Sequence, residues 1–264
     1  MKIVVIGGTG LIGSKLVPKL QAHGHEAVAA SLDSGVNALT GEGLAEVLEN
    51  ANVVVDVTNS PSFEDDAVMN FFTTSTRNLL SYGQAAGVGH HVALSVVGTE
   101  RLGESAYFRA KMAQEQLIKE SSTPYSVIHA TQFFEFIETI ANAGTMGDEV
   151  HLAPVLVQPM AADDAAKAVG RIAAGAPLNT TFEVGGPEVY RLTDFIEQGL
   201  SALGDRRKVV ANPQSRYFGA MLSERILVPE PDSARGEVLF QDWLKENMPK
   251  AQGVGVATQY GQPS

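Results

Sequence analysis

Short apolar runs rich in valine and isoleucine recur at 2–6, 26–30, 53–57, 91–95 and 125–130, and stretches long enough for helices separate them. The runs 3–6, 53–57 and 127–130 are apolar at both alternating sets of positions, so each strand needs cover on both faces, as in a parallel sheet between two helix layers. The rhythm predicts helices at 11–22, 44–49, 65–86, 107–120, 163–174 and 193–203, with Pro18 placed to kink the first. An α/β chain with a doubly wound parallel sheet follows.

After residue 130 the alternation loosens. Apolar runs shrink to 155–157 and 181–184, and prolines stand at 154, 159, 177, 187, 213, 229 and 231. Residues 1–250 are expected to form one unit, with a small substrate-facing lobe built mainly from 131–250 that also completes the sheet. An amphipathic segment from Phe240 is expected to dock as a last helix. The stretch 251–264, uncharged and with three glycines, is expected to be a mobile tail.

Composition removes several classes of function. The 264 residues carry 19 Lys and Arg against 30 Asp and Glu, a formal charge of −11, which argues against a protein that tracks nucleic-acid phosphates. There is no cysteine, hence no disulfide, thiol nucleophile or cysteine metal site. His90 and His91 are neighbours that point to opposite faces of a strand, and no metal-binding helix motif occurs, so no metal is expected. The first apolar run is too short for a signal segment or a membrane span, so a soluble, cytoplasmic protein acting on a small molecule is expected. Nothing in the pattern sets an oligomeric state.

The turn after the first strand reads Gly7-Gly8-Thr9-Gly10-Leu11-Ile12-Gly13 and opens the first helix. Glycines there allow a tight turn, close helix–strand packing and approach of backbone N–H groups to a dinucleotide pyrophosphate. Ser31 and Ser34 follow the second strand, where an acidic residue would bind a ribose 2′-hydroxyl. Their hydroxyls suit a 2′-phosphate and favour NADP. The lack of a nearby arginine and the closeness of Asp33 leave NAD as the alternative.

Tyr107 and Lys111 stand four residues apart at the start of a predicted helix, on one face. An ammonium beside a phenol favours the phenolate and equips it for proton transfer. Ser95 ends the preceding strand, at the sheet edge where ligands bind, within reach of a carbonyl oxygen gaining negative charge.

With the glycine turn and the Tyr-x-x-x-Lys pair together, residues 1–203 resemble the short-chain dehydrogenase/reductase superfamily and, within it, its atypical NmrA-like NAD(P)-binding branch. The resemblance implies a Rossmann-type fold and reduction of an aldehyde, ketone or quinone by hydride transfer. Tyr107 would be the proton donor, Lys111 would tune it and hold the nicotinamide ribose, and Ser95 would orient the carbonyl. Gly7, Thr9, Gly10, Leu11, Ile12 and Gly13 would cradle the pyrophosphate. Val57, Thr58, Asn59 and Ser60 would line the cofactor path, with Gln132 and Phe133 beside the nicotinamide. The branch also implies an alternative, a non-catalytic NADP(H)-binding redox sensor. A third reading is a sugar-nucleotide epimerase or dehydratase, but the asparagine relay of those relatives falls here on Phe72.

Phe133, Phe134 and Phe136 suit an aromatic wall around a small apolar carbonyl or a quinone, with core packing as the bland alternative, and Tyr217, Phe218 and Met221 could close over it. His129 reads as a satisfied interior residue, and Asp163 and Asp164 as caps of the following helix.

Overall fold

The computed structural model describes residues 1–247, so the tail expected at 251–264 lies outside the described residues. In chain order the first half runs β1 (Lys2–Ile6), α1 (Gly13–Ala22), β2 (Glu26–Ala30), α2 (Leu44–Leu48), β3 (Val53–Asp56), α3 (Asp65–Ala85), β4 (His90–Val96), α4 (Ala106–Glu120) and β5 (Tyr125–Ala130). The second half continues with α5 (Ile137–Ala143), β6 (Thr145–Met146), β7 (Glu149–Leu152), β8 (Leu156–Val157), α6 (Ala162–Ala173), β9 (Thr181–Gly185), β10 (Tyr190–Arg191), α7 (Leu192–Leu203), β11 (Lys208–Ala211), β12 (Ala234–Arg235) and α8 (Phe240–Asn247).

Seven strands form one parallel sheet in the order β2-β1-β3-β4-β5-β9-β12. From β1 the chain builds outward to β2, then crosses back to β3 on the other side of β1. The strand order therefore reverses between β1 and β3, and their carboxyl ends diverge there into a crevice. The two-sided apolar runs explain the layering. Ile3, Val5, Val53 and Val55 pack with Leu16 and Leu20 of α1 and the alanines of α6, whereas Val4, Ile6 and Val54 pack with Leu44 and Leu48 of α2 and Leu79 of α3. Each such fully buried aliphatic side chain contributes about 1.5–3 kcal/mol relative to exposure.

The second half serves two places. β9, β12 and α6 extend the main sheet and cover its face, while α5, α7 and α8 enclose a separate core with Phe134, Phe195 and Phe240 at its centre. Two small sheets, β8 with β10 and β6-β7-β11, border that core. Helix α1 runs from Gly13 to Ala22 with Pro18 inside it.

The expected caps at Asp163 and Asp164 are corrected. Ala161 is the N-cap of α6, and the Glu135 carboxylate accepts from the Ala162 amide at 3.0 Å. Asp164 Oδ2 instead accepts from the Glu237 and Val238 amides, both at 2.8 Å, tying the chain before α8 to α6, and Asp163 pairs with Lys19 at 2.7 Å. The acidic pair stands at the second and third positions of the first turn, past the N-cap, and its carboxylates face neighbouring segments rather than the helix's own first amides.

Candidate active site

The glycine turn after β1 is shaped by two kinds of constraint. Gly7 sits at φ +79°, which L side chains rarely adopt. A Cβ on Gly13 would stand 2.3 Å from the Gly7 carbonyl oxygen and 2.5 Å from Gly8 Cα, so α1 rests directly on the turn. Gly10 differs, because a Cβ there would meet only the Gly7 oxygen, at 3.3 Å, and otherwise open space. The Gly7 and Gly8 amides donate to Ala30 O and the Gly10 amide to Gly7 O, whereas among the described residues those of Thr9, Leu11 and Ile12 donate to no acceptor. Unpaired N–H groups at a helix N-terminus, over a surface cleared of side chains, match an anionic linker.

At the end of β2 the two serines part company. Ser34 Oγ accepts from the Ser31 amide and donates to the Ser31 carbonyl, both at 2.9 Å, so its proton is already in use. Ser31 Oγ is buried, and among the described residues its proton goes to no acceptor. Beyond β3, Asp56 Oδ1 accepts from the Thr58 amide at 2.9 Å and its hydroxyl at 2.7 Å, and Asn59 and Ser60 bond within the same loop. This loop lies against the glycine turn, since a Cβ on Gly7 would be 3.2 Å from Thr58 Cα. Residues 57–60 thus form the opposite wall of the crevice.

Tyr107 enters from the first turn of α4. Its ring meets Phe63 at 5.7 Å, Phe72 at 5.8 Å and Phe108 at 5.5 Å between centroids. Burial pushes its phenol above the ordinary tyrosine range, so it stays protonated at neutral pH. Tyr217 is pushed up by burial as well, with the Gln132 side chain pulling the other way and Tyr107 close enough to add to the rise. Gln132 Oε1 and Thr131 Oγ1, just past β5, are buried and have no hydrogen-bond partner among the described residues.

Lys111 turns inward instead of toward Tyr107. Its Nζ donates to Leu94 O at 2.8 Å and to Gln114 Oε1, lies 4.5 Å from the centre of the Phe72 ring, and is 2% exposed. Gln114 passes the contact on to Asp56 Oδ2 at 2.9 Å. Burial lowers Lys111 to about 8, against the upward pull of Asp56 and Glu115. Phe72, at the position where the asparagine relay is missing, lends its ring face to this ammonium.

Ser95 also faces away, its hydroxyl donating to Glu115 Oε1 at 2.7 Å. No hydrogen bond joins Ser95, Tyr107 and Lys111 among the described residues. Phe134 is 1% exposed inside the α8 core, its ring tilted against Phe240 at 5.0 Å, and has no surface to offer a substrate. Phe133 is buried and pairs with the half-exposed Phe136 at 5.4 Å, and Met221 is partly buried. Gln114 and Phe63 were not singled out by pattern, although Gln114 follows Lys111 at a spacing that shares its helix face.

Glu115 also bonds His129 Nε2 at 2.8 Å and Lys119 at 3.1 Å. Burial works to raise Glu115, but His129, Ser95 and Lys119 outweigh it and bring it to about 2. Burial works to lower His129, but Glu115 and Glu183 outweigh it, with Glu100 adding to the rise, and bring it to about 9. The interior histidine is thus satisfied as an imidazolium. Its contribution to stability is complete below its ordinary 6.5 and is lost as pH rises through about 9, while that of Glu115 is lost as pH falls from 4.5 toward 2. The Tm of the full chain is therefore expected to drop between pH 6.5 and 9, and Glu115→Gln is expected to flatten that drop. A wild-type Tm that stays level over this range contradicts the buried ion pair.

Among the described residues no helix is long and apolar enough to cross a membrane, and no cluster of three or more His, Asp or Glu side chains is placed to hold a metal.

Residues 3–133 match the model of the NAD dependent epimerase/dehydratase family. That segment contains the glycine turn, the β3 loop, Tyr107 and Lys111. The fold is shared with MoeE5 in complex with UDP-glucose and NAD, at TM-score 0.70 and 17% identity, covering 93% of this chain and 96% of that one. It is shared equally with DesIV, a dTDP-glucose 4,6-dehydratase from Streptomyces venezuelae solved with NAD, at TM-score 0.70 and 16% identity over 94% and 98% of the chains. A dTDP-4-dehydrorhamnose reductase from Clostridium acetobutylicum gives TM-score 0.65 and 18% identity over 93% and 98%. These likenesses establish a Rossmann-type fold. In sequence, the photosystem II assembly factors Ycf39 of Cyanophora paradoxa and of Synechocystis sp. are each 23% identical over 149 residues, 51% of this chain. The match covers 46% of each of those proteins, so the chain spans about half the length of the curated relatives it matches.

Proposed function

We propose that this chain is a reductase of the atypical NmrA-like kind, which binds NADP(H), with NAD(H) as the alternative, and reduces a small carbonyl or quinone-type substrate beside Tyr107. The observation that carries the reading is the pairing of unengaged amides at Thr9, Leu11 and Ile12, in the turn after β1, with a protonated phenol in the first turn of α4, both at the carboxyl edge of the parallel sheet. The family match over residues 3–133 and the NAD-bound structures of the same fold support it.

The three amides would hold the pyrophosphate, with Gly10 leaving room for it. Ser31 would donate to a 2′-phosphate, Ser34 being committed to its own turn. Residues 57–60 would line the path toward Tyr107, and Gln132 and Thr131 would offer their free polar atoms beside the nicotinamide, next to Phe133. When bound, the dihydronicotinamide supplies the hydride for the carbonyl carbon. Tyr107 gives its hydroxyl proton to the carbonyl oxygen, yielding the alcohol, and regains it from water. Lys111 supports the transient phenolate as a buried positive charge on the far side of Phe72, whose ring meets both groups, without a hydrogen bond to Tyr107. Ser95 can serve the carbonyl oxygen only by turning from Glu115.

The engagement of Ser95 and Lys111 favours one second reading, a protein that binds the dinucleotide and signals its redox state without turnover. Oxidation of NADPH and of NADH, followed with a panel of aldehydes, ketones and quinones, tests the choice. Turnover on a panel member is the expected result, and saturable binding without turnover on any of them selects the second reading.

A further inference from the structure

The segment that approaches Tyr107 from the second half has an unusual backbone. Tyr217 and Ala220 exchange both hydrogen bonds, N to O at 2.8 and 3.0 Å, and close a two-residue hairpin turn. Both central residues have positive φ, Phe218 at +47° and Gly219 at +91°. Asparagine and glycine dominate such turns, and a bulky aromatic side chain at the first position is an outlier that costs stability. The strained conformation places the Phe218 ring on Phe63, at 5.8 Å between centroids and 25° between planes. Phe63 in turn meets Tyr107, and Phe218 meets Tyr217 at 4.8 Å. A continuous chain of rings therefore joins the β3 side of the crevice to the second half, directly beside the phenol.

Charge at the same mouth excludes a second kind of ligand. Arg216, next to the hairpin, is paired with the Glu104 carboxylate and donates to Gly219 O at 2.8 Å. Arg109 is paired with Asp65 at 3.0 Å and donates to the carbonyls of Gly103 and Glu104. Glu64, Asp65, Asp66 and Glu104 are all exposed there, four carboxylates against these two committed guanidinium groups. Among the described residues, a nucleoside diphosphate sugar arriving at this rim meets these carboxylates and two guanidinium groups already paired.

We propose that Phe218, held at the tip of the strained hairpin and closed on Phe63, is the specificity-determining residue of the site, admitting flat aromatic carbonyls of the quinone class and rejecting sugar nucleotides. This rests on the reading of the crevice as a carbonyl reductase site and names its substrate class. Asparagine tolerates the backbone at position 218, so Phe218→Asn keeps the turn while removing the ring.

The test is calorimetric titration of 1,4-naphthoquinone and of UDP-glucose onto the full chain, with and without NADP. The absence of cysteine removes thiol addition as a source of heat. Expected are saturable naphthoquinone binding to wild type and to Phe218→Tyr, about tenfold weaker binding to Phe218→Asn, and no binding of UDP-glucose. The Tm of Phe218→Asn is expected to equal or exceed that of wild type, as the strained turn relaxes. Equal naphthoquinone affinity in wild type and Phe218→Asn, no binding to wild type under either condition, or binding of UDP-glucose overturns the proposal. Naphthoquinone that binds in this Phe218-dependent way yet is never reduced upholds it and counts against the reductase reading instead.

Discussion

Replacing Tyr107 with phenylalanine is expected to lower kcat/KM for carbonyl reduction by about 10²- to 10⁴-fold, the usual contribution of a positioned proton donor. Cofactor affinity and Tm are expected to stay at wild-type values, because no hydrogen bond to a protein group is lost and the ring packing on Phe63, Phe72 and Phe108 is retained. Since burial holds the phenol above its ordinary range, the wild-type rate is expected to show no loss at mildly alkaline pH from ionisation of Tyr107. Steady-state kinetics across neutral to alkaline pH, on wild type and Tyr107→Phe, check both statements. Undiminished turnover in the variant removes Tyr107 from the chemistry.

The second large effect is expected at the glycine turn, where two alanine substitutions separate architecture from binding. In Gly13→Ala the new methyl falls 2.3 Å from Gly7 O and 2.5 Å from Gly8 Cα, both backbone atoms that cannot swing away. Helix α1 must then lift from the turn, at a cost of about 1–3 kcal/mol, or a Tm drop on the order of 2–10 °C at this chain length. Binding is lost with it, because the amides of Leu11 and Ile12 move. In Gly10→Ala the methyl meets a single backbone atom, Gly7 O at 3.3 Å, and otherwise open space, so Tm is expected to fall far less than in Gly13→Ala while dinucleotide affinity falls. Thermal melts with and without dinucleotide check the pair, and a stable Gly13→Ala that binds normally refutes this role for the turn.

Much of the fold was legible because burial on two faces leaves a mark that composition alone does not. The runs 3–6 and 53–57 had to lie between helix layers, and they occupy the two strands at which the sheet order reverses. The glycine turn was legible for a related reason, since steric need at Gly7 and Gly13 acts on residue type directly. Side-chain direction was not. Helical spacing puts Tyr107 and Lys111 on one face, but the lysine stem is long enough to reach Leu94 O inside, and Phe72 and Gln114 make that inner position favourable. Ser95 lies near the end of β4, yet its proton goes to Glu115, four residues beyond Lys111 on the same helix, a contact across the sheet face that helical spacing does not reveal. The aromatic residues divide in the same way. Phe134 and Phe136 are two positions apart in a tight turn, and only the packing of α8 sends the first into the core and leaves the second half-exposed. Phe63 lies in a loop whose partners come from distant segments, so no local period could reveal it.

Isothermal titration of the full-length chain with NADPH, and in parallel with NADH, is the most direct test of a dinucleotide cradle at the reversal between β1 and β3. The expected result is saturable heat at one dinucleotide per chain, with NADPH the tighter of the two and the signal weakened in Gly10→Ala. Absence of binding by either dinucleotide, in a chain shown by its melting transition to be folded, contradicts it.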